Sequence, residues 1–326
     1  MGRYLALRAV QIVIVLAIMS FVVYLLIGLM PGDPIDAMIS GNPKMTSEDA
    51  KRLRALYGVD KPLVERYLAW AHQALLGNFG YSRSLNRPVL AVLGPRLLNT
   101  LELEGLAFLI ATAIALPLGI WVAARPRSTA DYLVNLFCFA GISMPIFWLA
   151  LLLISLFAVR LGWLPAGGMA DPRAGTPFLA AVGQNIRFAL LPVATLAIVQ
   201  LGVYTRFMRG AMIETLRQDY IRTARAKGAA ERIVLMGHAF RNALAPVLTI
   251  LALSFGALFS GAMITETMFA WPGMGATIYQ AIQTNDFNLA LVGLLLATFM
   301  TMAGNLLADI ALVAVDPRVS LESRLR

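Results

Sequence analysis

The sequence has one cysteine and two histidines among its 326 residues. A lone thiol cannot close an internal disulfide, and the apolar run around Cys138 makes it a small packing residue. His72 and His238 lie far apart without metal-ligand spacing, so neither marks a metal site. Charge is scarce too: acidic and basic residues make up 14% of the chain, against about a quarter in soluble domains. No GxxxxGKS/T phosphate loop, GxSxG elbow or HExxH pair occurs, so the chain carries no readable motif for nucleotide, ester or peptide hydrolysis. No cofactor and no metal are expected in it, and it is not expected to be an enzyme.

What fills the sequence instead is apolar: 59% hydrophobic residues and a mean hydropathy of +0.73. A helix crossing a bilayer needs about 20 mainly apolar residues. Six segments meet or approach that length: Ala9–Met30, Gly105–Ala124, Tyr132–Val159, Phe188–Tyr204, Ala243–Thr265 and Leu289–Val315. The expected fold is an all-α, polytopic membrane protein with six transmembrane helices. Pro117, Pro145 and Pro192 fall inside spans, where they are expected to kink the helices rather than end them. Arg3 and Arg8 precede the first span. Its apolar core is too long for a secretory signal, and no small-x-small cleavage site follows, so it reads as an uncleaved anchor.

The formal net charge is +9. Basic residues avoid the apolar runs and gather in the connections, as membrane orientation requires, so lipid rather than nucleic acid is the expected partner. The connection 125–131 carries two arginines. The connection 206–242 carries eight basic residues against three acids, and the tail holds Arg318, Arg324 and Arg326. With six spans these regions share one side with the N-terminus, so both termini are expected in the cytoplasm. The chain thus divides into a first span (1–30), an extracytoplasmic loop region (31–100) and a core of spans 2–6 (101–326). The loop region is large enough for a small folded element, and "TSEDAKRLRALYGV" within it starts at a plausible cap, Thr46 or Ser47.

The connection 206–242 repays a closer look. Ile213, Leu216, Tyr220 and Ala224 recur at helical steps, which predicts a helix over Met208–Lys227. Gly228 stands where that helix ends, since glycine enters the left-handed region without a clash. A second helix then presents Ile233, Val234, Gly237, Phe240 and Leu244 on one side. This basic helix–turn–helix has two readings. It lies on anionic lipid as an interfacial element, or it projects as a rigid hairpin into a cleft of a partner. Ala224, Ala226, Ala229 and Ala230 favour close backbone approach and so the second reading.

"DYIRTARAKGAAERIVLMGHAFRNALAPVLT" resembles the cytoplasmic "EAA" loop of ABC importer permeases, in the version of the dipeptide, oligopeptide and nickel class. "LMPGDP" (Leu29–Pro34), "LLGNFGYS" (Leu75–Ser82), "LGWLPAGG" (Leu161–Gly168), "FAWPGMG" (Phe269–Gly275) and "VDPR" (Val315–Arg318) resemble that class in the same order, across nearly the whole chain. The resemblance implies a permease subunit that moves short peptides or a related small solute by alternating access. It implies four kinds of partner: a second homologous permease, two ABC ATPase subunits, an extracytoplasmic solute-binding protein and the inner membrane. ATP and magnesium would be bound by the ATPases. The segment Arg222, Thr223, Ala224, Arg225, Ala226, Lys227, Gly228, Ala229, Ala230 and Glu231 would be the coupling helix that docks on an ATPase. The general pattern has a glutamate six residues before its glycine, where this chain has Arg222, so a glutamate-based contact does not carry over.

A few polar residues stand inside or beside spans. Asp309 reads as the only acid deep in a span, with Asn305 one turn earlier on the same face, and Gln200 lies in the fourth span. Such groups face protein or water, as interhelical hydrogen bonds or as pathway lining. Asp309 also keeps open an alternative, a secondary carrier driven by an ion gradient. Trp271, Pro272 and Gly273 form a turn that suits a membrane interface. It reads either as a turn before a surface helix, "ATIYQAIQ", or as an element closing the outer mouth of a pathway.

Overall fold

The computed structural model describes residues 2–29, 48, 61–170 and 178–315. Within them, five helices are long and apolar enough to cross a membrane, or six if one sharply bent pair counts as a single span. The cap at Thr46 or Ser47, most of "LMPGDP" and "VDPR", and the arginines of the tail lie outside the described residues. The chain clusters into two compact units, residues 1–97 with 277–300, and 98–276 with 301–326.

In the first unit, helix α1 (Gly2–Gly28) meets a short helix α2 (Leu63–Leu75). The contact is aromatic: Phe21 and Tyr24 pack edge-on against Tyr67, at centroid distances of 5.1 and 5.6 Å. Ser20 and Tyr67 share a hydroxyl hydrogen bond of 2.9 Å. After α2, two left-handed glycines, Gly77 and Gly80, lead into a two-residue hairpin, β1 (Tyr81–Ser82) and β2 (Arg87–Pro88). Asp286 fixes that hairpin. Its Oδ2 accepts from Ser82 Oγ (2.6 Å), Ser84 Oγ (2.7 Å) and the Ser84 amide (2.9 Å). Burial pushes the Asp286 carboxyl up, but these donors outweigh it and hold it below the usual carboxylate range.

The second unit is built from helices and their connections. Helix α3 (Val89–Ala123) enters it at Leu98 and packs on the long α6 (Phe178–Leu216), which also meets α4 (Thr129–Ser143) and α5 (Ile146–Leu153, prolonged as a π-helical turn, Ile154–Arg160). Two glycines allow close helix approach, Gly119 against Met208 and Gly202 against the Cys138 carbonyl. Cys138 is free and buried, as its surroundings imply.

The third span is not one kinked helix: α4 and α5 meet at 105° around Met144–Pro145. The residue before a proline is driven out of the helical region, and Met144 is extended (ψ 128°), so Pro145 ends one helix and opens the next. Pro192, by contrast, sits inside unbroken α6. The fourth span also outruns its expected end at Tyr204, reaching Leu216. Its arginines find partners within the protein. Arg206 lies over the Phe139 ring, 4.2 Å from the centroid, and Arg209 makes a two-pronged ion pair with Asp131. Asp131 also accepts from the Arg127 amide and from Asn135, so the arginine-rich turn at 125–131 is tied to α6.

Beyond α6 come α7 (Asp219–Ala226), a single turn α8 (Glu231–Ile233), a π-helical turn (Val234–Phe240) and α9 (Arg241–Ala257). The fifth span therefore stops eight residues before the expected Thr265. A separate short helix, α10 (Met263–Met268), precedes α11 (Met274–Gln283) and α12 (Phe287–Val315).

Candidate functional site

The stretch Met208–Lys227, expected as one helix, is the end of α6 followed by the separate α7. The chain breaks at Arg217–Gln218, and Gln218 is extended (ψ 149°) before Asp219 opens α7. The break resets the helical phase, so Ile221 rather than Tyr220 is the buried anchor, while Tyr220 is 43% exposed. The turn after α7 fulfils its expectation. Gly228 has φ +80°, its amide donates to Arg225 O, and the Ala229 amide donates to Ala224 O. Those paired 5→2 and 6→1 bonds are a Schellman motif, which satisfies the last carbonyls of α7 and sets the angle of the exit.

Across that turn Arg225 grips Glu231 with both prongs, Nη2 to Oε1 at 2.6 Å and Nε to Oε2 at 3.1 Å. Arg222 pairs loosely with Asp219 (3.5 Å), and Thr223 Oγ1 donates to the Asp219 carbonyl. Ile221 and Val234 are fully buried in the core of the second unit, where Ala224 and Ala229 pack beside them. Arg222, Thr223, Arg225, Ala226, Lys227, Gly228, Ala230 and Glu231 face outward. The expected apolar side of the second helix is only half right. Val234 is buried, but Ile233 is 56% exposed and Gly237 is exposed. A π turn takes more residues per revolution than an α turn, so the buried side runs Val234, Ala239, Ala243, Val247 with a first step of five. The hairpin thus presents guanidinium and ammonium groups beside exposed Tyr220, Ile233 and Met236. That mixture of basic and large apolar side chains suits a protein partner.

The "FAWPGMG" turn is a second constellation. Trp271, expected at a membrane interface, is 1% exposed, and its Nε1 donates to the Asn99 carbonyl of α3. Asn99 Nδ2 returns a hydrogen bond to the Pro272 carbonyl (2.9 Å). Beneath the turn lies Glu266, fully buried, a residue that the sequence reading passed over. Its Oε1 accepts from Thr100 Oγ1 (2.6 Å) and its Oε2 from the Ala276 amide (2.7 Å), so it caps the start of α11. A Cβ on Gly273 would overlap this carboxylate. "LGWLPAGG" arrives at the same place: Gly168 N donates to the Phe269 carbonyl (2.7 Å), and Gly167 leaves room for it. The helix following the turn is largely buried rather than superficial.

Of the polar residues in spans, Gln200 makes an interhelical contact, donating from Nε2 to Glu104 Oε2 at 3.4 Å. Asp309 is therefore not the only acid in a span: Glu104, also buried, is a second. The expected span began at Gly105, whereas α3 begins at Val89 and carries Glu104 inside it. Glu104 and Thr100 are one helical turn apart, which brings the Gln200–Glu104 contact close to Glu266. Asn305 of α12 fills the space that Gly256 of α9 leaves by lacking a side chain, so these two helices approach closely. Asp309 is half-buried one turn further on.

Residues 115–321 match the family model of the binding-protein-dependent transport system inner membrane component, and residues 1–103 match its N-terminal companion. The chain belongs to this family. It is 39% identical over 304 residues to a Brucella ovis protein provisionally assigned as a peptide permease, covering 93% of this chain and 94% of that one. It is also 35% identical to the oligopeptide transport system permease protein AppB of Bacillus subtilis, with 96% of each chain covered. Identity to the di/tripeptide transport system permease protein DppB of Pseudomonas aeruginosa is 37%, over 92% of this chain and 93% of the relative.

As a permease of this family, the protein is a multi-pass inner-membrane component of an ABC transport system and not itself an enzyme. An ion-driven carrier built around Asp309 is disfavoured by that membership. Both constellations fall within the matched core, residues 115–321, apart from their supports on α3, Asn99, Thr100 and Glu104.

Proposed function

We propose that this permease forms half of a pathway importing short peptides, and that the hairpin Asp219–Glu231 is where a separate ATPase delivers work to it. The names of the relatives support the peptide class of solute. A second homologous permease, two ATPases that bind ATP and magnesium, and an extracytoplasmic solute-binding protein complete the machine. With the hairpin in the cytoplasm and six crossings, both termini are cytoplasmic. Turnover in the ATPases favours one docked state of the hairpins over the other, and the bundle alternates its opening in response. The turn at Trp271, Pro272 and Gly273 belongs to the outer side in this arrangement, and Gln200, Asn305 and Asp309 tie helices together.

The observation that carries this reading is the construction of the hairpin. Its two arms are locked at a fixed angle by the Gly228 turn and rooted in the core by Ile221 and Val234, so it transmits displacement as a stiff body. A lipid-resting helix has no need of such a lock. The test is cysteine crosslinking in the assembled transporter. Ala226→Cys is expected to bond a cysteine placed on the ATPase surface, with ATP-dependent peptide uptake in vesicles only when all partners are present. Crosslinks to lipid alone, or uptake by this chain without ATPases, would overturn it.

A further inference from the structure

The first unit holds a groove of about 500 Å³ that neither the hairpin nor the Trp271 turn uses. Leu16 and Ala17 of α1, Ala71 and Ala74 of α2, and Leu296 and Phe299 of α12 are among its walls. The lining is almost wholly apolar, and a groove of this size lies within the range of ligand sites, about 300–1,000 Å³. Apolar walls hold no ordered water, and an empty space would forfeit dispersion contacts on every side. Since α1 and α12 are both long and apolar enough to cross a membrane, the medium bordering these walls is hydrocarbon.

Its polar features are few: Ser20 of α1, which is bonded to Tyr67, and Tyr67 and Trp70 of α2. Trp70 Nε1 is buried and has no hydrogen-bond partner among the described residues, an unmet donor in the groove wall. Tyr24 and Tyr67 lie against Trp70 at ring separations of 6.1 and 6.3 Å, a cluster of the kind that marks headgroup depth. Beside the Tyr24 hydroxyl stands the Arg66 guanidinium. Exposed Val64, Leu68 and Leu75 continue the apolar surface of α2 from the groove's edge, which suits a helix lying in the interface.

A cation, an N–H donor and an apolar groove therefore succeed one another along α2. Those are the complements of a phosphate, an ester carbonyl and an acyl chain. We propose that this groove holds one glycerophospholipid, its acyl chain between α1, α2 and α12, its ester carbonyl on Trp70 Nε1 and its phosphate on Arg66. The lipid completes the packing of α2 against the two spans.

The test uses the assembled transporter in nanodiscs of phosphatidylethanolamine and phosphatidylglycerol. Phospholipid retained through graded detergent washing is counted by native mass spectrometry. The wild type is expected to keep one phospholipid per permease that Ala71→Trp, which fills the groove, does not. Trp70→Phe keeps the ring and removes the donor, so it is expected to weaken retention by about fivefold, the worth of one hydrogen bond. Arg66→Gln is expected to weaken it at least as much. Equal retention in Ala71→Trp and wild type overturns the site. Should Ala71→Trp fail to assemble, wild-type complex is labelled with a diazirine-bearing phosphatidylglycerol. Adducts are expected within residues 67–75 or 292–299. Their absence from both, or an Ala71→Cys crosslink to the partner permease instead, overturns it equally.

Discussion

The Glu266 carboxylate occupies the space that Gly273 leaves by having no side chain. The acid is then free to hold Thr100 on one oxygen and the Ala276 amide on the other, and the turn between α10 and α11 closes over it. Glycine is needed at 273 for steric reasons, and the carboxylate at 266 is satisfied only because that room exists. Gly273→Ala is expected to destabilise the permease by about 1–3 kcal/mol, the usual cost of overpacking. Pairing it with Glu266→Ala relieves the overlap, so the double variant is expected to lose less than the sum of the singles. Thermal melting of the purified complex measures the departure from additivity.

At Gly228 the issue is backbone conformation alone. Among the described residues nothing lies within 4 Å of the position where a Cβ would stand, yet φ is +80°. Gly228→Val is thus expected to cost about 1–2 kcal/mol of local conformational energy and to unlock the hairpin while membrane insertion persists. Gly228→Asn, which tolerates the left-handed region, is expected to behave nearly as wild type. The readout is the ratio of ATP hydrolysed to solute taken up in proteoliposomes. Normal coupling in the valine variant would remove this account of the glycine.

The Arg225–Glu231 pair is exposed, and such pairs contribute only about 0–1 kcal/mol to stability. Glu231→Ala is accordingly expected to leave the melting temperature almost unchanged. Its effect belongs to docking: the arm carrying Arg225 is no longer held across the turn. Reduced uptake at unaltered stability is the expected pattern, with partial recovery in the exchanged pair Arg225→Glu, Glu231→Arg. A large stability loss with uptake per folded molecule intact would assign the pair to folding instead.

Acid tests the hairpin at the other end of the chain. Because the Asp286 carboxyl is held below its ordinary range when folded, its hydrogen bonds to Ser82 and Ser84 add stability that is fully present above about pH 4, the unfolded value. That contribution drains away as pH falls through the lower folded value. Asp286→Asn is expected to lower stability by about 1–3 kcal/mol near neutrality, and the gap to wild type is expected to close below pH 4. A gap that persists unchanged into strong acid would contradict the assignment.

Legibility in the sequence followed the physics of each element. Apolar run length reported the long helices, and Gly228 was readable because helix ends have their own residue chemistry. The bend at Met144–Pro145 was understated, since proline's effect depends on whether neighbouring helices satisfy the freed carbonyls. The π turn over Val234–Phe240 is invisible to a search at 3.6 residues per turn, and it rotated Ile233 and Gly237 outward. Glu104 escaped because hydropathy locates where lipid-like sequence begins, whereas α3 starts well before it. Asp131 closes the connection 125–131, and Arg209 lies in the connection 206–242. Their pairing is a contact between residues 78 apart in sequence, which no local pattern records.

The turn around Trp271 is riveted at three places: to Asn99 and Thr100 on α3, to Gly168 after the bent helix pair, and to Glu266 below. A segment so fastened is no flap. If it shifts during the transport cycle, α3 has to travel with it, and any passage it borders widens by whole helices tilting rather than by a loop swinging aside.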